Sequence, residues 1–295
     1  MPAAANEVEI DGLGATYLAP AGAAPSAAAV IVAGSGPTDR NGNSVLGLRT
    51  DAYKLVAEAL AARGIATVRY DKRGIGESAK SARPEPQVVF QHFVDDAATV
   101  AGWLQAHTGL KSVVLIGHSE GGTLALMAAK RGAVAGIALL AAPGRTLATI
   151  MREQYTRPGT PRDISREAMG IVAALERGED VAEVDPRLAP AFRPSVQPYL
   201  RSSIAIDPAA LARDLDVPLL IVGGGRDFQI GKSDFDALSA TRPDAVAYWD
   251  PDMAHTLKAS RADPQSVQRA YTDPTQPLAT GLADRVAEFI LTTDR

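Results

Sequence analysis

The residues best suited to covalent chemistry lie in Gly117-His118-Ser119-Glu120-Gly121, a G-x-S-x-G pentapeptide. Upstream, Val113 to Ile116 is an apolar, β-branched run that predicts a strand. Downstream, Thr123 to Lys130 is rich in Ala and Leu and predicts a buried helix. A serine at such a corner is held in a strained backbone conformation, with Oγ lifted clear of the sheet. Glycines two residues to either side are required because strand and helix pass too close for a Cβ. The corner also aims the helix N-terminus at whatever bonds to the serine. The pentapeptide alone is compatible with an ordinary tight turn. With a strand before it and a helix after it, Ser119 reads as a nucleophile.

A serine hydroxyl needs a base, and the base needs a carboxylate to fix its tautomer and stabilise its cation. The chain has four histidines. His92 and His107 fall in one predicted helix ahead of the pentapeptide, and the backbone points the His118 ring away from the Ser119 Oγ. Only His255 follows, as the chain order Ser, Asp, His requires. The favoured carboxylate is Asp227, which follows the apolar run Val217 to Val222 across Gly223–Gly225, where a sharp turn is expected. Asp234, Asp236, Asp250 and Asp252 compete for that role. The expected oxyanion donors are the backbone N–H groups of Glu120 and, from the loop at 34–36, of Ser35. Asp39 and Arg40 read as an ion pair pinning that loop, with substrate contact as the rival reading. Asp71 and Arg73 read as bracing the turn beside the nucleophile.

Elements that could position these groups alternate along the chain. Val8 to Leu18 fits one or two edge strands, and Ala27 to Ala33 is apolar throughout, as in a strand covered on both faces. A turn-rich loop, Gly34 to Asn43, follows; its Pro37 and its glycine spacing exclude a dinucleotide fingerprint. Helices are predicted over Asp51 to Arg63, Gln87 to His107, Asp207 to Leu215, Lys232 to Ser239 and Ala283 to Leu291. Strands are predicted over Ile65 to Tyr70, Val134 to Leu140, Val217 to Val222 and Ala245 to Trp249. The stretch Lys258 to Thr280 reads as polar loop. The sum is an α/β fold, a doubly wound, mainly parallel sheet whose functional residues lie beyond the carboxyl ends of strands. From residue 145 to 203 strand patterns vanish and prolines interrupt helical segments. This predicts a helical cap inserted into a core domain of residues 1–144 and 204–295.

The 295 residues are 46% hydrophobic, enough for a large core. A net charge of −4 weighs against nucleic acid or anionic membrane as the main partner. The absence of cysteine excludes disulfides and thiol catalysis. No Cys/His cluster or spaced carboxylate set points to a metal, and no cofactor is expected. The start, Met1 to Glu7, has no basic segment followed by an apolar one, so a cytoplasmic protein without a signal peptide is expected. The apolar run Val134 to Ala142 is too short to span a bilayer. A homodimer is compatible with these features.

Taken together, the motifs resemble the α/β-hydrolase superfamily. Gly117-His-Ser-Glu-Gly121, Val217-Pro-Leu-Leu-Ile-Val-Gly-Gly-Gly-Arg-Asp227 and Ala254-His255 match its elbow, acid strand and histidine loop. Gly34-Ser-Gly-Pro-Thr-Asp-Arg-Asn-Gly42 and Tyr70-Asp-Lys-Arg-Gly-Ile-Gly-Glu-Ser78 are similar to a branch of serine carboxylesterases grouped with serine aminopeptidase-like lipases. The resemblance implies cofactor-free hydrolysis of esters with small acyl groups. One departure is Ala33, where many members carry a histidine ahead of the oxyanion glycine. Within enzymes the rivals are a thioesterase and an aminopeptidase. The latter requires a cap carboxylate for the substrate ammonium, with Glu153, Glu167, Glu176, Glu179, Asp180 and Glu183 as candidates. A slow-turnover ligand receptor on the same fold is the rival from another class.

Overall fold

The computed structural model describes residues 4–22 and 24–293. The reading of the start as lacking a leader rests partly on residues 1–3, which lie outside that range. Strands β1 (Ala4–Ile10) and β2 (Leu13–Ala19) form an antiparallel hairpin. Its tight turn uses Asp11 and Gly12, both at positive φ, the geometry that follows the twist of the strands. Next come β3 (Ala27–Val32), helix α1 (Ala52–Ala61), β4 (Ile65–Tyr70), α2 (Phe90–Thr108), β5 (Val113–His118), α3 (Glu120–Ala128) and β6 (Val134–Leu140). Four helices follow, α4 (Leu147–Tyr155), α5 (Arg162–Glu176), α6 (Ala189–Phe192) and α7 (Gln197–Ser203). The chain closes with α8 (Pro208–Arg213), β7 (Leu219–Arg226), α9 (Lys232–Thr241), β8 (Val246–Ala254), α10 (Pro264–Thr272) and α11 (Leu282–Thr293).

Among the described residues eight strands make one sheet, in the order β1-β2-β4-β3-β5-β6-β7-β8. Only the pairings of β2, with β1 and with β4, are antiparallel. Every residue of β3, β4 and β5 is buried, as expected for strands covered on both faces. One face carries Phe90, Val94 and Leu104 of α2 with Leu124 of α3; the other carries Tyr53, Val56 and Leu60 of α1 with Val286 and Ile290 of α11. The strand order reverses about β3, so a crevice opens beyond the carboxyl ends of β3 and β5. Ser35, Ser119, Asp227 and His255 all lie just past strand ends on that edge, after β3, β5, β7 and β8 respectively.

Helices α4 to α7 pack around a separate apolar cluster that includes Ile164, Ile171, Leu175, Phe192 and Leu200. Tyr199 of α7 docks edge-on to Phe93 of α2, with ring centroids 5.7 Å apart. At the entrance to this segment, Asp234 of α9 is fully buried and accepts from the N–H groups of Gly144 (3.1 Å) and Arg145 (3.2 Å). No helix among the described residues is long and apolar enough to cross a membrane.

Two parts of the structure depart from the pattern expected of the sequence. Gly223–Gly225 belong to β7, and the turn comes at the end of that strand, where Asp227 N–H donates to Gly224 O (3.3 Å). They are small because β8 passes close. A Cβ at Gly223 would lie 2.7 Å from the Trp249 ring, and Cβ atoms at Gly224 and Gly225 would meet the backbone of Met253 and Pro251. The polar stretch 258–280 contains helix α10. It buries little, Ser266 and Ala270, and is nucleated by the Asp263 side chain accepting from Ser266 N–H at 2.8 Å, with Pro264 at the first helical position.

Candidate active site

Ser119 sits between β5 and α3 with φ 53° and ψ −130°, a conformation L-residues rarely adopt. The corner is over-determined. Ser119 N–H donates to Leu140 O (3.0 Å) and Ser119 O accepts from Gly122 N–H (2.8 Å). A Cβ on Gly117 would run into Gly121 and Gly122, and one on Gly121 would meet Val32 O and Ala33 O. Helix α3 begins at Glu120, earlier than the Ala- and Leu-rich run alone indicates. Glu120 is its first residue, so its N–H has no acceptor within the helix.

Asp227 and His255 meet. Asp227 Oδ2 lies 2.7 Å from His255 Nδ1, and its carboxylate side chain is fully shielded from solvent. The other oxygen, Oδ1, accepts from Gln229 N–H (2.7 Å) and Ile230 N–H (2.9 Å), which fixes the carboxylate plane. A carboxylate on Nδ1 keeps the proton there and leaves Nε2 as the basic nitrogen. The competing acids are engaged elsewhere. Asp234 holds Arg145 (2.7 Å), Asp236 pairs with Lys232, Asp250 accepts from Asp252 N–H (2.9 Å) and Asp252 pairs with Arg226 (3.1 Å).

His118 joins these loops. Its Nε2 donates to the backbone oxygen of His255 (2.7 Å), and the two rings lie 4.9 Å apart by centroid. Its Nδ1 accepts from Tyr53 Oη (2.7 Å). Burial, with His255 nearby, pushes the His118 imidazole down to about 3, so it is neutral at ordinary pH. Burial also raises the Tyr53 phenol above its usual range, keeping it a donor. Tyr53 Oη in turn accepts from Gly34 N–H (3.1 Å). Tyr53 therefore holds the N–H of Gly34, the residue after Ala33, in the loop that follows β3. One hydrogen-bonded chain runs from the loop after β3, across α1 and the elbow, to the backbone of His255.

With Gly34 N–H taken, Ser35 N–H is the next donor in the loop. Gly34 packs against Ser119: a Cβ added to it would lie 3.1 Å from the Ser119 Cβ. The loop is braced from below. Arg40 does not pair with Asp39, contrary to the sequence reading. It bonds Asp71 through both its backbone N–H (2.8 Å) and Nη2 (2.8 Å), and it also holds Glu77 (2.7 Å) and Glu7. Burial raises the Asp71 carboxyl, but the bonds from Arg40 outweigh it and hold the group below the usual carboxylate range. Asp39 Oδ1 instead accepts from Asn41 and Asn43 N–H (2.8 and 2.9 Å), a local turn. Arg73 reaches Asp96 of α2. Tyr53, Lys72 and the bridging part played by His118 are not visible in local sequence, because each contact spans dozens of residues. Among the described residues no three His, Cys, Asp or Glu side chains group as metal ligands would.

The profile of the family described as serine aminopeptidase, S33, matches residues 46–157, which take in the elbow but neither Asp227 nor His255. Est1E from Butyrivibrio proteoclasticus superposes with a TM-score of 0.60 at 17% identity, over 98% of each chain. The chain has the α/β-hydrolase fold. Other structures of this α/β-hydrolase fold that resemble it include a proline iminopeptidase of Mycobacterium smegmatis (TM-score 0.59, 18% identity, 99% of each chain). The esterase RhEst1 of Rhodococcus sp. ECU1013 gives a TM-score of 0.52 at 21% identity over 98% of each chain. In sequence the chain is 29% identical to Esterase EstD of Thermotoga maritima over 231 residues, 78% of this chain and 53% of that protein. The chain thus spans about half the length of that curated relative.

Proposed function

We propose that this chain is a serine hydrolase that cleaves carboxylic esters of small to medium acyl chains. The observation that carries the reading is the Asp227–His255 pair at 2.7 Å, presented to the strained elbow of Ser119 through the His118 bridge. In this reading Ser119 Oγ attacks the ester carbonyl as His255 Nε2 takes its proton. Asp227 stabilises the imidazolium, and the N–H groups of Ser35 and Glu120 hold the oxyanion. His255 then protonates the leaving alkoxide. A water deprotonated by the same nitrogen releases the acid from the acyl-serine. Residues 145–203 act as a cap on the core formed by 1–144 and 204–295, limiting substrate size. Their separate apolar cluster supports that division.

The aminopeptidase description of the matching profile supports a second reading, cleavage of an N-terminal peptide bond. It needs a free carboxylate in the cap. Most candidates already have partners: Glu153 with Arg145 (2.7 Å), Glu176 with Arg152 (3.0 Å), Glu179 with Arg177 (2.6 Å) and Asp180 with Arg201 (3.0 Å). Glu167 accepts from Asp185 N–H (2.7 Å). This occupancy and the esterase relative favour ester hydrolysis. The test is a p-nitrophenyl ester series from acetate to laurate beside aminoacyl p-nitroanilides. Many turnovers on the esters, absent in Ser119→Ala, are expected. Faster cleavage of the anilides would overturn the ester reading in favour of the peptidase.

A further inference from the structure

Lys72 is a lysine that local sequence gives no reason to single out, yet it is almost wholly buried, at 6% exposure. It lies two residues past the end of β4, next to the Asp71 that Arg40 locks in place. Its Nζ donates to Gly34 O (3.0 Å) and to Glu120 Oε1 (3.2 Å), and it lies 4.7 Å from the centroid of the Phe93 ring. A single ammonium thus touches the Gly34–Ser35 peptide, which carries one proposed oxyanion donor, and the side chain of Glu120, whose backbone carries the other.

The first contact sets a direction. Gly34 C=O and Ser35 N–H are opposite ends of one planar trans peptide, so fixing the oxygen fixes the line along which the N–H points. A cation on the carbonyl also polarises that peptide and strengthens its N–H as a donor. The second contact is electrostatic. Glu120 stands next to the nucleophile, with a side chain only 15% exposed, where its carboxylate opposes a negative charge forming on the substrate oxygen. Pairing with Lys72 offsets that opposition and draws the carboxylate toward β4.

We propose that Lys72 is a positioning residue for the oxyanion hole, aiming the Ser35 N–H through the Gly34 carbonyl and neutralising Glu120 beside the developing oxyanion. The proposal rests on the reading of Ser119 as an acyl-transfer nucleophile. It predicts an effect on the transition state and little on the ground state. Loss of an oxyanion donor outright costs about 10²–10³ in turnover, so a misaimed donor is expected to cost about 10- to 100-fold.

The test compares wild type, Lys72→Met and Lys72→Arg, with kcat expressed per Ser119 titrated by a fluorophosphonate, so that unfolded protein does not count. Affinity for an aryl trifluoromethyl ketone, which forms a tetrahedral oxyanion on the serine, is measured alongside. The expected result is a lower kcat in Lys72→Met with KM within about threefold, a parallel loss of ketone affinity, and partial recovery of both in Lys72→Arg. An unchanged kcat per titrated serine, or a kcat loss without any loss of ketone affinity, overturns the proposal. Failure of the ester reading itself looks different: wild type would then turn over no ester, and the ketone affinities of the variants would still report on Lys72.

Discussion

The elements around Ser119 and the helical segment α4 to α7 are held together by different physics. Beneath Ser119 the contacts are buried and interlocked. Arg40 and Asp71 pair at 8% and 5% side-chain exposure, Lys72 is enclosed, and the Tyr53–His118 chain runs through the core. Along α4 to α7 and their connections the ion pairs lie at the surface. Arg152 pairs with Glu176, Arg177 with Glu179, and Arg187 with both Asp163 and Asp185. Buried pairs cannot lose one partner without leaving a charge stranded, whereas exposed pairs contribute little and are screened by salt. A floor of the first kind holds reacting atoms in register. A segment of the second kind can be repacked without disturbing them.

The sharpest break in this contrast comes from the floor. Asp227→Asn leaves the shape of the carboxylate but presents the wrong tautomer partner to His255. It is expected to lower kcat by about 10⁴-fold at neutral pH, with an unchanged melting temperature. Steady-state kinetics beside a thermal melt checks this, and a loss under tenfold would remove Asp227 from the proposed mechanism. Next in size is Gly121→Ala, whose new Cβ would meet the carbonyl oxygens of Val32 and Ala33. It is expected to destabilise the fold by about 1–3 kcal/mol or more, read from urea midpoints. A neutral result would mean that the elbow is looser than its geometry implies.

A smaller effect should come from His118. Its folded-state value, about 3, lies below the ordinary histidine value near 6.5, so the unfolded chain binds the extra proton between those limits. Stability from this group is therefore complete above about pH 6.5 and falls with pH below it, by at most about 1.4 kcal/mol per unit. Urea unfolding of wild type and His118→Asn at pH 7, 6 and 5 should show the steeper loss in wild type. Parallel curves would contradict it. The smallest effect is expected in the helical segment α4 to α7. Glu176→Gln should cost less than about 1 kcal/mol, shrinking in high salt, with kcat unchanged.

The same division governs what could be read in the sequence. The placement of Ser119, Asp227 and His255 beyond strand ends, with Asp227 beside His255, was legible because each follows a predicted strand and because chain order leaves a single later histidine. Gly117 and Gly121 were legible because sterics at the elbow admit nothing larger. Gly223–Gly225 show the limit of that logic, since a glycine run announces tightness without telling a turn from a close neighbour. Only the placement of Trp249, Pro251 and Met253 decides it. Helix α10 escaped because it is short and polar on average and buries only two small residues, although Asp263-Pro264 marks its start. Tyr53, Lys72 and the role of His118 depend on contacts 65, 48 and 137 residues apart in the chain, where no local pattern exists.

The central claim is that Ser119 is the nucleophile of an esterase. Its most direct test is to follow p-nitrophenyl ester turnover while the chain is titrated with a serine-directed phosphonate, and then to map the adduct by mass spectrometry. The account predicts that activity falls linearly to zero at one adduct per chain, located on Ser119. An adduct on another residue, or full turnover persisting with Ser119 modified, would contradict it.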